Sequence, residues 1–331
     1  MARMGIALPR EEDTARGEMV TWAQVAEAHG YESVWVPEAW GRDAFTLATQ
    51  IAVLTKRIKV ATGIVTVYSR TPALLAQTAA SLDEISNGRV MLGLGTSGPI
   101  VIENWHGVKF ERPIQRTREY VEIIRLALSG ARVNYDGEIF HLRNFRLPFR
   151  PVQERIPIYI ASLGPRNLEL TGELADGWLP VFVSPRHMPV FTERLAAGAK
   201  RAGRDVAEVD VAAYILALVT EDVAAAKALI RQHIAYYVGG MGTFYNNLVR
   251  RYGFEAEAAV VKEAWAKGDR KTAAANISDT LVDAVAIVGT VEESRRKLAE
   301  YRAAGITHPV LAFPHEATGE MIRQTIAALA P

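Results

Sequence analysis

The chain alternates short apolar segments with longer helical ones along most of its length, and this alternation limits the folds open to it. Runs of strand length recur eight times, and most are followed by a segment with helical periodicity. The predicted strands cover residues 3–8, 33–37, 57–65, 89–95, 156–162, 177–183, 209–220 and 308–313. Apolar character along a whole strand is typical of parallel strands that are covered on both faces. Eight such units predict an α/β fold of the closed (β/α)8 TIM-barrel type.

The predicted strands leave no break in composition at which a second domain would begin. We therefore expect residues 1–331 to form a single barrel domain. The segment 221–288, between the seventh and eighth predicted strands, is rich in Ala and helical in pattern. We interpret it as a helical insertion beside the barrel mouth. A hairpin is predicted over 133–142, with Asp136-Gly137 at its turn.

Composition and charge exclude several classes of function. The 38 Lys and Arg nearly balance the 37 Asp and Glu, and no basic block occurs, so we predict no nucleic-acid partner. No apolar run has the length of a bilayer span, so we expect no membrane association. The first residues have the pattern of a strand and a turn rather than a signal peptide, which favours the cytoplasm. The absence of cysteine excludes thiolate catalysis and thiolate metal sites.

The residues expected at the barrel mouth contain few acids and bases. Active sites of TIM barrels lie at the carboxyl ends of the strands. No Lys ends a predicted strand, which argues against a Schiff-base enzyme, and neither an HExxH motif nor a His-x-His pair indicates a metal hydrolase. The strand ends are instead rich in Gly, Ser and Thr. Such a mouth suits a small-molecule substrate and a cofactor that supplies its own chemistry, and we expect no metal.

Gly63 interrupts the apolar third strand near its end, in the stretch ATGIVTVYSRTP (61–72). A glycine weakens a strand interior and often marks a bulge, or a place where a ligand approaches the backbone. In a barrel, Gly63, Ile64 and Val65 would lie at the mouth. We therefore interpret these three residues as candidate ligand contacts, with Gly63 marking either a bulge or a close approach of the ligand to the backbone.

The segment GLGTSG (93–98) has the glycine spacing of a dinucleotide-binding turn. That interpretation requires a helix that begins at the motif and an acid about 20 residues further on. Pro99 follows instead, and the region of the expected acid already lies within a predicted helix, so we disfavour it. Two interpretations remain. Gly93 is a packing residue before a tight turn, or Thr96 and Ser97 belong to a loop that contacts a cofactor.

The segment ASLGPRNLELTGELADGW (161–178) begins a helix directly after the fifth predicted strand. Unpaired N–H groups at a helix N-terminus form an anion site, and Arg166 would add a charged donor. The segment is therefore either a phosphate cradle or an ordinary strand-to-helix turn capped by Ser162. Spacing alone does not decide between the two.

Glu38 and Trp40 follow the second predicted strand. Glu38 either orients substrate or relays a proton at the mouth, or it is a solvated side chain. Trp40 either stacks on a ring or is an interface residue. Residues 103–106 could line the pocket, although His106 also fits a hydrogen-bonded loop histidine. We interpret the Tyr236-Tyr237 pair as helix packing.

Four segments carry a likeness to a known family, and they are SLDEISNGRVMLGLG (81–95), RIPIYIASLGPRNLELTGELADG (155–177), DVAAY (210–214) and VGTVEE (288–293). With them the chain resembles the luciferase-like flavin and deazaflavin oxidoreductases over essentially its whole length. Within that superfamily it is most similar to the methylenetetrahydromethanopterin reductase branch, which uses coenzyme F420. The resemblance implies a (β/α)8 barrel with an insertion near the mouth.

The resemblance also implies roles for particular residues. A non-prolyl cis peptide in the third-strand bulge, here Gly63-Ile64, would back the deazaflavin ring. Thr96, Ser97 and Gly98 match the loop that runs along the cofactor. The loop that takes the cofactor phosphate follows the fifth strand, and it corresponds to Leu163, Gly164, Pro165 and Arg166. We also count Ser162, at the end of that strand, among the candidate cofactor-binding residues. The implied reaction is hydride transfer between deazaflavin C5 and an electrophilic carbon.

Two departures from the family leave the substrate open. Several members have an Asp after strand two, where this chain has Glu38-Ala39-Trp40, and the methanopterin reductases have a carboxylate in strand one, where this chain has Ala7. With Glu38 and Trp40 as candidate catalytic residues, we predict a cytoplasmic F420-dependent oxidoreductase that forms a homodimer. The alternatives are an FMN-dependent monooxygenase of the same superfamily and a catalytically silent flavin-binding protein.

Overall fold

Strands and helices alternate along the chain in the computed structural model, which describes residues 3–9, 16–39 and 41–331. The strands are β1 Gly5–Ala7, β2 Ser33–Val36, β3 Lys59–Thr62, β4 Val65–Thr66, β5 Val90–Gly95, β6 Val133–Asp136, β7 His141–Phe145, β8 Ile158–Ala161, β9 Gly177–Trp178, β10 Asp210–Val211, β11 Tyr214–Val219, β12 Ala286–Gly289 and β13 Val310–Ala312. The helices are α1 Arg16–Ala28, α2 Ala44–Leu54, α3 Pro72–Ser86, α4 Pro113–Leu128, α5 Pro165–Leu174, α6 Met188–Arg201, α7 Val223–Ala235, α8 Phe244–Arg251, α9 Glu255–Ala266, α10 Arg270–Ala275, α11 Asp279–Val285, α12 Val291–Ala303 and α13 Gly319–Ala328.

The parallel strands close into a barrel. Hydrogen bonds connect neighbours in the order β10-β9-β8-β5-β3-β2-β1-β13-β11. Only two residues separate β10 from β11, so these two short strands together take the place of one strand of the barrel. The ring closes there, because the Ala212 N–H donates to Trp178 on one side and the Val310 N–H donates to Ala213 on the other. The predicted (β/α)8 barrel is confirmed.

Four local features differ from the sequence expectations. The third predicted strand ends at Thr62, and the chain pairs again with β5 only at β4. The seventh predicted strand is divided into β10 and β11. A further parallel strand, β12, pairs with β11 outside the ring and lies partly within the segment expected to be helical throughout. The predicted hairpin is present as β6 and β7, although its loop runs from residue 137 to 140 rather than through two residues.

The helices α7 to α11 occupy most of the segment expected to be an insertion, and a π-helix, Tyr236–Gly240, joins α7 to the loop before α8. This π-helix packs on α9 because Gly239 and Gly240 let the indole of Trp265 approach. A Cβ at either glycine would stand within 3 Å of that ring. The close packing fixes the position of the π-helix. The treatment of 221–288 as an insertion into a single domain stays a prediction.

The barrel interior is filled by one side chain from each strand position in the described part of the ring. The layer consists of Ala7, Trp35, Ala61, Met91, Tyr159, Leu179, Ala212 and Val310. Three alanines leave room for two large rings, and the Trp35 and Tyr159 rings meet edge to face with centroids 5.1 Å apart. The barrel is therefore a packed core, and open space begins only above this layer, at the carboxyl ends of the strands.

A network of charged and polar groups lies at the amino-terminal end of the barrel. Arg3 contacts Glu32 and Asp210, each at 2.8 Å, and Lys59 contacts Glu32 at 2.9 Å. The fully buried His308 lies 2.8 Å from the Ser33 hydroxyl. Burial pushes the pKa of Glu32 upward, but the hydrogen bonds from Arg3 and Lys59 dominate and lower it from 4.5 to about 2. The folded state therefore favours the ionised form of Glu32.

We predict that Glu32→Gln lowers the free energy of unfolding at pH 7 by about 1–3 kcal/mol, because it removes charge-assisted hydrogen bonds. A carboxyl whose pKa is lowered by folding stabilises the protein above its unfolded pKa, and this contribution is lost as the pH falls. The difference between wild type and variant should therefore shrink between pH 4.5 and about pH 2. Denaturant unfolding over a pH series measures it. The control is Glu84→Gln at an exposed position of α3. A difference in unfolding free energy between wild type and Glu32→Gln that does not change with pH would contradict the prediction.

Candidate active site

A cavity of about 510 Å³ opens above the packed layer, at the carboxyl ends of the barrel strands. Its size lies within the usual range for small-molecule and cofactor sites. Residues after β1, β2, β3, β5, β8, β9 and β13 line it, together with the start of β11 and residues from α7 to α8. The barrel and the segment between β11 and β13 therefore enclose the cavity together.

The break between β3 and β4 forms one wall of the cavity. The peptide bond between Gly63 and Ile64 is cis, and both residues line the cavity. The Thr62 hydroxyl takes the place of strand pairing beside the break, because it donates to the Gly93 carbonyl and accepts from the Gly93 N–H, both at 2.9 Å. Val65 is fully buried in the core and is not among the lining residues. Of the three predicted ligand contacts, Gly63 and Ile64 therefore face the cavity, whereas Val65 packs in the core.

The loop after β5 forms a second wall. Thr96, Ser97 and Gly98 all line the cavity, and Ser97 has a left-handed backbone with φ of 55°. Gly93 lies inside β5, where a Cβ would overlap the Thr62 carbonyl, and a π-helix over Ile100–Trp105 follows the loop. The motif therefore does not begin an α-helix, and the dinucleotide-binding interpretation is excluded. Gly93 is a packing residue, as the first of the two remaining interpretations predicted.

The turn from β8 into α5 forms a third wall. Ser162, Leu163 and Gly164 line the cavity, whereas Pro165 begins α5 and Arg166 is exposed in its first turn. Gly164 occupies the N-cap position, so no side chain caps the helix. The Ser162 hydroxyl instead lies 2.8 Å from the Thr171 hydroxyl. The Ser162 cap that one of the two interpretations required is absent, and the N–H groups that follow Pro165 in this first turn carry no side-chain cap.

Glu38 lines the cavity but is held in an ion pair. Its carboxylate accepts two hydrogen bonds from the Arg70 guanidinium, at 2.7 and 2.8 Å, and one from the Ala44 N–H at 3.2 Å. Arg70 also contacts Asp43, and the hydrogen bonds from Arg70 to Glu38 raise the pKa of Arg70. The Glu38 and Arg70 side chains are only 11% and 17% exposed. Glu38 is therefore neither solvated nor placed as an unpaired base, and it fixes the start of α2 at the mouth.

Trp40, the other candidate catalytic residue, lies outside the described residues. The segment 103–106 does not line the cavity. Glu103 accepts a hydrogen bond from the Phe110 N–H at 3.1 Å, and the His106 ring stacks on Trp105 with centroids 4.6 Å apart.

A cluster of rings from the segment after β11 and from the loop after β13 forms the wall that the sequence did not reveal. His233 stacks between His315 and Tyr237, with centroids 4.6 and 5.0 Å away. Tyr236 meets the His315 ring edge to face at 5.1 Å. All four residues line the cavity, so Tyr236 and Tyr237 do more than pack helices. The spacing of residues 233, 236 and 237 on one helical face was the available signal, but it did not show that this face meets the barrel mouth.

No group of three or more His, Asp or Glu within the described ranges is placed to hold a metal ion. No helix in the described part of the chain combines the length and apolar character that a bilayer span requires.

The barrel and its cavity form a site that is built from strand-end loops around a space for a small molecule. The family model for luciferase-like monooxygenases matches residues 3–308. A Mycobacterium tuberculosis protein named as a coenzyme F420-dependent oxidoreductase is 36% identical over 309 residues, covering 86% of this chain and 88% of that protein. The 5,10-methylenetetrahydromethanopterin reductase of Methanolobus tindarius is 34% identical over 296 residues, covering 88% and 89%.

Among solved structures, the coenzyme F420-dependent tetrahydromethanopterin reductase from Methanopyrus kandleri has a TM-score of 0.88 and 28% identity, covering 99% of this chain and 98% of that one. The chain belongs to the luciferase-like oxidoreductase family. The resemblance seen in the sequence is confirmed.

We predict that Arg70→Met lowers the free energy of unfolding by about 3 kcal/mol, because it leaves the Glu38 and Asp43 carboxylates without their shared cation. Arg70→Lys should recover only part of this loss, since an ammonium group cannot bond both Glu38 oxygens in the same planar geometry. Denaturant unfolding measures both variants.

The control is Arg143→Met, which removes an ion pair with Asp136 on the hairpin, where both side chains are more than 60% exposed. We expect little or no loss there. An equally small loss in Arg70→Met would contradict the importance of the Glu38–Arg70 pair.

Proposed function

We propose that this enzyme depends on coenzyme F420 and transfers a hydride between the deazaflavin C5 and an electrophilic carbon of a small organic substrate. One observation carries the proposal. Three segments that the family resemblance assigns to the cofactor, around residues 63–64, 96–98 and 162–164, surround a single cavity. They come from β3, β5 and β8, which are neighbours in the barrel.

The residues of the cavity fit a large cofactor with a flat ring and an anionic tail. Gly98 and Gly164 both line the cavity, and a Cβ built at either position would meet nothing within 4 Å. Glycine at these positions therefore leaves open space beside the backbone, as close approach of a ligand requires. We propose that this space belongs to the cofactor.

The cofactor phosphate is proposed to bind at the N-terminus of α5. The uncapped N–H groups of a helix N-terminus attract anions, and here the N-cap is Gly164. The Arg251 guanidinium donates to the Leu163 carbonyl at 3.2 Å, which brings a positive charge to the same turn. Ser162, Leu163 and Gly164 would line the phosphate site, with Pro165 and the exposed Arg166 at its rim.

A reduced deazaflavin supplies the hydride when it is bound, so the protein mainly has to orient the reactants and exclude water. Gly63 and Ile64 would support one face of the ring. The rings of His233, Tyr236, Tyr237 and His315 form a separate wall of the same cavity, and we propose that the substrate binds against them. Glu38, held by Arg70, would shape the mouth rather than transfer a proton, and a role for Trp40 stays a prediction.

The substrate is proposed only as a chemical class. The relative from Methanolobus tindarius is named for its action on methylenetetrahydromethanopterin. The resemblance places a carboxylate of those reductases on strand one, where this chain has Ala7, a buried residue that lines the cavity. We therefore propose an electrophilic small molecule, without extending the methanopterin activity to this chain.

We further propose that the enzyme is a cytoplasmic homodimer. Exposed apolar side chains on α2 and α3 support an interface between two copies, and these are Val53, Leu54, Leu74 and Ile85. Light scattering after size exclusion should give twice the chain mass of 36.3 kDa. A mass of a single chain at micromolar concentration would contradict the dimer.

The cofactor assignment is tested by mixing the purified protein with F420 or with FMN and separating bound from free cofactor by gel filtration. We expect F420 to be retained and its fluorescence to change on binding, and FMN to be lost. Retention of FMN instead would support the monooxygenase alternative. Retention of neither would overturn the proposal.

We predict that Gly164→Val weakens F420 binding at least tenfold, which corresponds to about 1.4 kcal/mol, without lowering the melting temperature. The backbone of Gly164 has φ of −83° and ψ of 148°, which valine adopts readily, and the new side chain would enter open space in the cavity. Fluorescence titration and thermal unfolding measure the two effects. Gly17→Ala, where a Cβ also meets open space but outside the cavity, is the control. Unchanged affinity in Gly164→Val would count against the proposed phosphate site.

A further inference from the structure

Tyr214 lies directly beneath the Gly63–Ile64 wall of the cavity. It is the first residue of β11, and its side chain reaches across the barrel interior toward the end of β3. The two strands are not neighbours in the ring, since β2, β1 and β13 lie between them on one side. The Tyr214 hydroxyl donates to the Gly63 carbonyl at 3.4 Å, a long hydrogen bond. Its ring lines the cavity and meets Trp35 edge to face, with centroids 6.2 Å apart.

Gly63 and the Tyr214 phenol compete for the same space. A Cβ at position 63 would overlap the Tyr214 hydroxyl oxygen, and it would come within 3.0 Å of Tyr214 Cζ and 3.2 Å of Trp35 Cβ. A side chain at position 63 is therefore excluded by the phenol below it rather than by the open cavity above. The phenol in turn rests on Trp35, which belongs to the packed interior layer.

The Tyr214 hydroxyl keeps its proton under ordinary conditions. Burial, with a smaller effect from Tyr237, raises the pKa of Tyr214 well above its usual value of 10. The group therefore remains a neutral hydrogen-bond donor over the pH range in which enzymes are normally assayed. Its contact with the Gly63 carbonyl does not depend on pH in that range.

The Gly63 residue is also fixed from the other side. Its N–H donates to the Val36 carbonyl at 2.7 Å, so the amide nitrogen is tied to β2 while the carbonyl oxygen meets the phenol from β11. Removal of the phenol hydroxyl would release one of these two contacts and leave the other intact. The position of the carbonyl, and with it the wall that faces the cavity, should respond to this change.

We infer that Tyr214 is a positioning residue, which supports the Gly63–Ile64 wall from below and so sets how close a bound cofactor ring approaches the end of β3. This inference rests on the proposed function, because it requires a ring to lie against that wall. Tyr214 acts through Gly63 and transfers no proton. It makes cofactor affinity sensitive to a hydroxyl group contributed by a strand on the opposite side of the barrel.

The test is a double-mutant cycle on the full-length protein, with F420 affinity from fluorescence titration and melting temperature as separate readouts. Tyr214→Phe keeps the ring and removes the hydroxyl, so we expect affinity to fall about fivefold to tenfold while the melting temperature changes little. Gly63→Ala adds the methyl group that overlaps the hydroxyl, and we expect a loss of at least a hundredfold. Tyr135→Phe on the hairpin, which removes a hydroxyl that donates to Glu122 of α4, should leave the affinity unchanged.

The double variant Gly63→Ala/Tyr214→Phe decides the matter. Removal of the hydroxyl makes room for the methyl group, so the double variant should bind more tightly than Gly63→Ala alone, and the two changes should not be additive. The affinity should recover only in part, since the ring carbon Cζ at position 214 would still lie 3.0 Å from the new methyl group. Additive losses, or wild-type affinity in Tyr214→Phe, would overturn the inference.

Failure of the proposed function is visible in the wild type and is separate from these outcomes. Wild-type protein that binds F420 keeps the cofactor assignment even if Tyr214 proves unimportant. Wild-type protein that retains FMN overturns the F420 assignment, and the cycle is then measured with FMN under the same criteria. Wild-type protein that binds neither overturns both.

Discussion

Close packing inside the barrel is the constraint on which the other features of the molecule depend. One side chain from each strand position in the described ring fills the interior, and the large rings of Trp35 and Tyr159 fit because Ala7, Ala61 and Ala212 are small. A close-packed interior resists movement of its side chains, so the strand ends above the layer are held in fixed positions. The cavity walls are then set by short loops on a rigid base, which is the arrangement that orientation-dependent chemistry requires.

The cavity has two chemically different parts with different origins. The loops after β3, β5 and β8 contribute glycines, small polar residues and aliphatic side chains, whereas most of the aromatic and imidazole rings come from the segment between β11 and β13. The first part lies on neighbouring strands of the barrel itself. The second part depends on the π-helix over Tyr236–Gly240, whose position against α9 follows from two glycines and Trp265. The two parts of the cavity are therefore held by different contacts, and a substitution in the second part need not disturb the first.

The sequence was sufficient for the barrel and for the location of the mouth, because apolar strands and their order are local signals. The sequence also identified Gly63 as an interruption of the third strand, and the family resemblance implied a cis peptide bond between Gly63 and Ile64. It could not show that Glu38 pairs with Arg70, since the two residues are 32 positions apart and only folding brings them together. The strand β12 was missed because its four residues follow helices without a turn signal. The ring cluster was missed because periodicity gives the face of a helix but not the partner of that face.

Gly93 and Gly98 belong to the same sequence motif, yet glycine is present at the two positions for different structural reasons. Gly93 is required by the protein's own backbone, since the Thr62 carbonyl occupies the space of a side chain there. Gly98 has nothing beside it but the cavity. A side chain at position 93 would therefore disturb the barrel, whereas a side chain at position 98 would occupy part of the cavity and leave the barrel unchanged. One short motif thus contains a glycine that the barrel requires and a glycine that keeps space open in the cavity.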